Sequence, residues 1–175
     1  MKPLLLLSLM ALTYSGFSQI DTSNQLTYFS TDYYKIEYPK SWRLDTSKQM
    51  GTELILFSSL EDQNDKFREN VNVMIQDLTG QDINLDKYKQ LTEEQLKVMA
   101  TDGVIFESSI IKSGNENYYK ITYAMTQGNF RLKITSLCYI NGEKALLVTF
   151  TSELKKYDQY KKTGEGILNS FSVIK

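Results

Sequence analysis

From residue 33 onward, hydrophobic positions first alternate with polar ones, then recur at helical spacing, then alternate again, and return to helical spacing at the end. Tyr34, Ile36 and Tyr38 alternate with Tyr33, Lys35 and Glu37, which is strand periodicity. Pro39 closes this run because it cannot donate a ladder hydrogen bond. A short strand is expected over 42–45, and Gly51 marks a turn. Residues 53–59 (ELILFSS) form a nearly continuous apolar run, as expected of a central strand covered on both faces. Residues 60–70 are polar and charged and read as a surface loop. Val71, Val73 and Ile75 then alternate with Asn72, Met74 and Gln76, and Gly80 closes that strand.

The period changes at Leu85, Tyr88, Leu91, Leu96 and Met99. Their spacing predicts an amphipathic helix over residues 85–100. Asn84 suits its N-cap, and Asp86 suits the positive end of the helix dipole. Gly103 is expected to stop the helix in a left-handed conformation. Strands follow over 104–112, 118–126, 130–140 and 144–152. Their connectors centre on Gly114, Gly128 and the pair Asn141-Gly142, a two-residue hairpin signal. Such short connectors force antiparallel neighbours. Helical spacing returns at Tyr157, Tyr160, Ile167, Leu168 and Phe171, with Gly164 and Gly166 lowering helix propensity. Residues 171–174 are expected to end the chain as a small extended piece.

This order predicts one α+β domain built on an antiparallel sheet of about six to eight strands. Apolar runs at 54–57, 104–106 and 145–150 favour helices on both faces, an α-β-α sandwich. The N-terminal segment stands apart. Residues 1–18 (MKPLLLLSLMALTYSGFS) carry Lys2, an apolar run over 4–12 broken by Ser8, then small and polar residues. That is the pattern of a secretory signal peptide, cleaved between Ser18 and Gln19. A membrane span needs roughly 20 apolar residues, about twice this run. Residues 19–31 are polar and aperiodic and are expected to form a flexible arm. Residues 32–175 are expected to form the single domain, periplasmic or secreted, with no transmembrane segment in the mature chain.

Composition narrows the chemistry. The 175 residues include no histidine and one cysteine. Histidine-dependent triads, histidine metal sites, an internal disulfide and CxxC redox pairs are therefore excluded. Net charge is −1; loss of Lys2 leaves 19 basic against 21 acidic residues, or −2. That balance gives no bulk attraction to nucleic acid.

The run Tyr34-Lys35-Ile36-Glu37-Tyr38-Pro39 followed by Trp42 resembles the opening of the PsbP-like superfamily. The middle helix fits the same pattern. So do the hairpin Tyr139-Ile140-Asn141-Gly142 leading into 145–151 and the ending Ser170-Phe171-Ser172-Val173-Ile174. The resemblance spans residues 32–174. It implies an antiparallel sheet between helices in a family that includes an extrinsic photosystem II protein, a nuclear import factor and many short secreted bacterial proteins. It carries over no catalytic motif and does not imply photosystem binding.

The candidate chemistry is sparse. Trp42 and Pro39 could stack a ligand, but a Trp folded over the sheet edge accounts for them better. Cys138 shares strand parity with Leu132, Ile134 and Ile140, so it is expected buried and inert. Loop residues Glu61, Asp62, Asn64, Asp65 and Glu69 offer oxygen ligands to calcium. Phe67 and Val73 stand where an EF-hand counted from Asp62 needs Gly and Glu, so a solvated loop is expected. Acidic residues scattered along the chain name no glycosidase pair. Lys155, Lys156, Lys161 and Lys162 are interleaved with Glu153, Asp158 and Glu165, as on an ordinary solvated face. Tyr33, Tyr118, Tyr119, Tyr123 and Tyr139 fall on strands and are the candidate interaction residues, since tyrosine is enriched at interfaces. The expectation is a non-enzymatic interaction module with no cofactor or metal, meeting a protein in the envelope or outside the cell. The alternative is a carrier of a small apolar or amphiphilic ligand held between sheet and helix.

Overall fold

The structure, a computed structural model, describes residues 25–174 apart from 101 and 115. The expected signal peptide and cleavage point lie outside the described residues. Ten strands and two helices follow in the order β1 (Leu26–Ser30), β2 (Tyr34–Pro39), β3 (Arg43–Asp45), β4 (Leu54–Phe57), β5 (Asn70–Asp77), α1 (Leu85–Met99), β6 (Val104–Ser113), β7 (Glu116–Gln127), β8 (Phe130–Asn141), β9 (Lys144–Glu153), α2 (Tyr157–Ser170) and β10 (Ser172–Val173). Seven strands form one antiparallel sheet in the order β3-β4-β5-β9-β8-β7-β6. The other three form a smaller antiparallel sheet, β1-β2-β10.

The smaller sheet corrects the expected arm. Residues 26–30 do not trail free: they pair with β2 from Leu26↔Pro39 to Ser30↔Lys35. Their own signal is weak because β1 is an edge strand with Leu26 and Tyr28 exposed. What holds it is the already alternating β2 beside it, and Phe29, which packs on the core.

Layering follows side-chain parity. Tyr34, Ile36 and Tyr38 point from β2 into a core shared with Leu54, Leu56, Val71, Val73, Val148, Phe150 and the inner face of α2. Burying each such side chain contributes roughly 1.5–3 kcal/mol. Gly164 lets α2 lie close to the sheet, since a Cβ there would stand 2.6 Å from the Phe150 ring. The opposite face carries a separate cluster of Tyr119, Ile121, Cys138 and Ala145, with Leu85, Tyr88 and Leu96 of α1 packed on it. The main sheet is thus covered by α2 and the small sheet on one side and by α1 on the other, the predicted α-β-α arrangement.

Local chemistry sets the element ends. Asn84 Oδ1 accepts the Lys87 N–H at 2.9 Å, so the expected N-cap is present. Gly142 sits at φ 58 in the β8–β9 turn, a conformation that glycine enters without steric cost. Gly103 departs from expectation, because its φ is not left-handed. Glycine is needed there for closeness instead: a Cβ would meet the Ala100 carbonyl oxygen at 2.8 Å, where the Gly103 N–H bonds that same oxygen.

Candidate ligand cavity

Beneath α1 the main sheet leaves a cavity of about 300 Å³. Two polar tethers hold the helix above it. Tyr88 donates its hydroxyl proton to Gln76 Oε1 on β5 at 2.8 Å. Farther along the helix, Ser108 of β6 donates to Glu93 Oε1 at 2.5 Å. The Ser108 hydroxyl has one proton, so Tyr119 OH, 3.0 Å away, must donate to Ser108. Hydrogen bonds to Lys89 and Ser108 hold the Glu93 carboxyl below the usual carboxylate range.

The pairing register brings the floor together. Cys138 lies opposite Tyr119 on one side and Leu147 on the other. Ser136 lies opposite Ile121 and Thr149, and its hydroxyl is 2.8 Å from Thr149 Oγ1. Tyr123 and Met125 extend the apolar wall along β7, and Leu96 and Ala100 close it from the helix. None of the lining residues carries a charge. Burial pushes the Cys138 thiol up to about 12, so at neutral pH it is a small apolar group on the cavity floor.

A groove of about 560 Å³ lies on the other side of the molecule, between the small sheet and α2. Trp42, Pro39, Leu26 and Ser170 line it, and a Cβ on Gly166 would project without meeting another atom within 4 Å. Trp42 is 7% exposed and belongs to the core cluster, so its chief role is packing, with one edge on the groove.

The five tyrosines singled out from the sequence do not form one surface. Tyr33 is exposed, and Lys144 stands over its ring. Tyr118 and Tyr139 face the α2 side with ring centroids 5.1 Å apart, and Tyr139 is buried. Tyr119, also buried, and Tyr123 face the α1 side and line the cavity. An outward tyrosine patch is therefore not what the strands build. Strand parity assigns alternate residues to opposite faces, and here both faces are covered.

The acidic loop holds a cation that belongs to the chain. Lys156 Nζ lies 3.0 Å from Asp65 and 3.3 Å from Glu61. Asp65 also accepts the backbone N–H groups of Glu61 and Phe67. The Glu61 bond, with the Phe67 bond and Lys156, holds its carboxyl down at about 2 against the opposing effect of burial. Glu69 lies fully buried beside this cluster, and burial raises its carboxyl above the usual range.

Gln76, Ser136, Thr149 and Met125 were absent from the sequence-based candidates. The available signal was Ser136 and Thr149 interrupting apolar parity on two strands covered on both faces.

The PsbP family model matches residues 24–173. No curated protein sequence matches the chain. Among solved structures, cyanobacterial PsbP (CyanoP) from Synechocystis is similar at TM-score 0.63 and 16% identity, over 85% of this chain and 92% of that one. LpqN, involved in cell envelope biogenesis of Mycobacterium tuberculosis, is similar at TM-score 0.63 and 14% identity, over 85% and 90%. A Pseudomonas aeruginosa protein of unknown function is similar at TM-score 0.57 and 12% identity, over 83% and 94%. At these identities the likeness concerns the fold. Among the described residues, no helix is long and apolar enough to cross a membrane.

Proposed function

The chain belongs to the PsbP family, and from that premise we propose an exported, non-enzymatic binding module that carries a small apolar or amphiphilic molecule between α1 and the sheet. The observation that carries this reading is the uncharged cavity under α1, walled by Tyr119, Tyr123 and Leu96. Its volume lies at the small end of the range typical of ligand sites. Native mass spectrometry of protein gently purified from its own host tests it: a co-purified small molecule is expected. Protein that is repeatedly empty and takes up no apolar probe overturns it.

Export rests on the segment 1–18, with the mature protein placed in the periplasm or outside the cell. The envelope role of LpqN supports that setting without assigning it. The proposed mature N-terminus is Gln19, and residues 32–175 form the single domain, here with β1 joined to it. Intact-mass measurement checks the cleavage; a retained Met1 overturns export.

A second reading, docking of an envelope protein, is favoured by one observation. The groove beside Trp42 is open and continuous with the exposed Leu26. A photocrosslinker at position 26 should give one defined adduct in the native envelope, and Gly166→Leu should abolish it. An adduct that persists in Gly166→Leu counts against this groove.

A further inference from the structure

We propose that the cavity under α1 selects amphiphiles with an uncharged, hydroxyl-bearing head. This rests on the carrier reading above and names its ligand class. The argument begins with the rows of residues running across the sheet. One row reads Ile121, Ser136, Thr149, Asn72, from β7 through β8 and β9 to β5. The next reads Tyr123, Ile134, Thr151, Asn70. Both pass from apolar to polar in the same direction, and neither contains a charge. The helix packs over β6, β7 and β8, covering the β7 end of these rows, where Ile121 and Tyr123 stand; Ser108, paired with Ile121 on β6, is already engaged by Glu93 and Tyr119. Thr149, Thr151, Asn70 and Asn72 lie beyond it, half-buried.

An amphiphile fits this gradient in one orientation. Its apolar part lies against Tyr123, Ile121 and Leu96 under the helix, and its head lies on the β9 side. Hydrogen-bonding capacity at that side is unspent. Ser136 and Thr149 share one hydrogen between them, which leaves the second hydroxyl hydrogen and lone pairs free. Among the described residues, Gln76 Nε2 has no acceptor, since Tyr88 engages the oxygen of that amide. Hydroxyls, which both donate and accept, match such groups. An ionic head would lose hydration with no opposite charge to meet it. Glu93, the carboxylate on the tether, is already engaged by Lys89 and Ser108.

Three probes with one tail separate the cases: octyl glucoside, octyl sulfate and octyltrimethylammonium, each below its micelle concentration. Backbone amide shifts are followed by NMR on the mature protein. Octyl glucoside should bind saturably, moving resonances of 119–125, 136–138 and 147–149, at least tenfold tighter than either ionic probe. Thr149→Val, which keeps the side-chain shape, should weaken it about three- to tenfold, as loss of one hydrogen bond does. Thr149→Glu should shift preference toward octyltrimethylammonium. Equal binding of all three at these residues overturns the uncharged-head inference but leaves carriage standing. No binding by any probe, with the fold intact by amide dispersion, overturns both.

Discussion

The two helices cover the same sheet from opposite sides, and they do it differently. In α2, Tyr157, Gly164, Ile167 and Leu168 are buried, and the helix lies close enough that only glycine fits against Phe150. In α1, no residue from 85 to 98 is fully buried. Its side chains meet the sheet through the partly buried Leu85, Tyr88 and Leu96 and two hydrogen-bonded tethers, with a cavity beneath the helix. Dense packing on one face therefore supplies stability, and the other face can keep open space without unfolding the domain. That division is physical, because a close-packed side tolerates little change in volume and a half-filled one tolerates more.

The sharpest way to break this contrast is to cut a large side chain from each face. Phe150→Ala should cost about 3–5 kcal/mol in urea unfolding. Leu96→Ala on α1 should cost under about 2 kcal/mol, because the residue is half-buried at the cavity. Both variants should unfold in one cooperative transition if residues 26–174 are a single unit. Equal costs would erase the distinction between the faces.

A smaller test uses two glycines two residues apart in α2, on opposite faces of the helix. Gly164→Ala places a methyl 2.6 Å from the Phe150 ring and should destabilise by about 1–3 kcal/mol. Gly166→Ala meets nothing within 4 Å and should stabilise by up to about 1 kcal/mol through helix propensity. Thermal melts of the pair should move in opposite directions. A shared sign would show that α2 does not sit against Phe150 as described.

The loop ahead of β5 sharpens the contrast through pH. Asp65 titrates at about 2, below its ordinary 3.8. Its contribution is therefore fully present above pH 3.8 and is lost as pH falls through about 2. After allowance for solvent screening, Asp65→Asn should remove about 1 kcal/mol of that acid dependence. Glu69 has the opposite sign, because its raised pKa means that stability falls as pH rises through it. Glu69→Gln should thus flatten the curve on the neutral side. Smallest in energy, yet simple to read, is the Cys138 thiol. With its pKa near 12, alkylation at pH 8 should be slow and should accelerate in step with urea unfolding. Rapid native labelling would mean that the α1 face opens far more readily than its tethers imply.

Much of this fold was legible in local chemistry. Asn84 announced a cap, Asn141-Gly142 announced a hairpin, and alternation marked β2, β5 and the four late strands. Strand β1 was not legible, because its alternation is short and its inward residues are Thr27 and Phe29. Its identity as a strand comes from pairing with residues five to thirteen positions further along the chain. The cavity was less legible still. Ser136 and Thr149 are thirteen residues apart and become neighbours only through the β8–β9 register. The tyrosines show the same limit from the other side. Alternation placed Tyr118, Tyr119, Tyr123 and Tyr139 on strands, while Tyr33 stands just ahead of β2, and the exposure of each depended on what covered its face.

The apolar-to-polar shading of the α1-side sheet face also has a consequence for water. Its apolar end, under Tyr123 and Leu96, gives solvent few partners, and its Ser136–Thr149 end gives several. A tail entering the first region displaces little well-bonded water, and its head exchanges one set of hydrogen bonds for another. Binding should then be driven by enthalpy at room temperature and carry a negative heat-capacity change. Calorimetry at several temperatures would thus read the sheet's polarity gradient as a thermal signature.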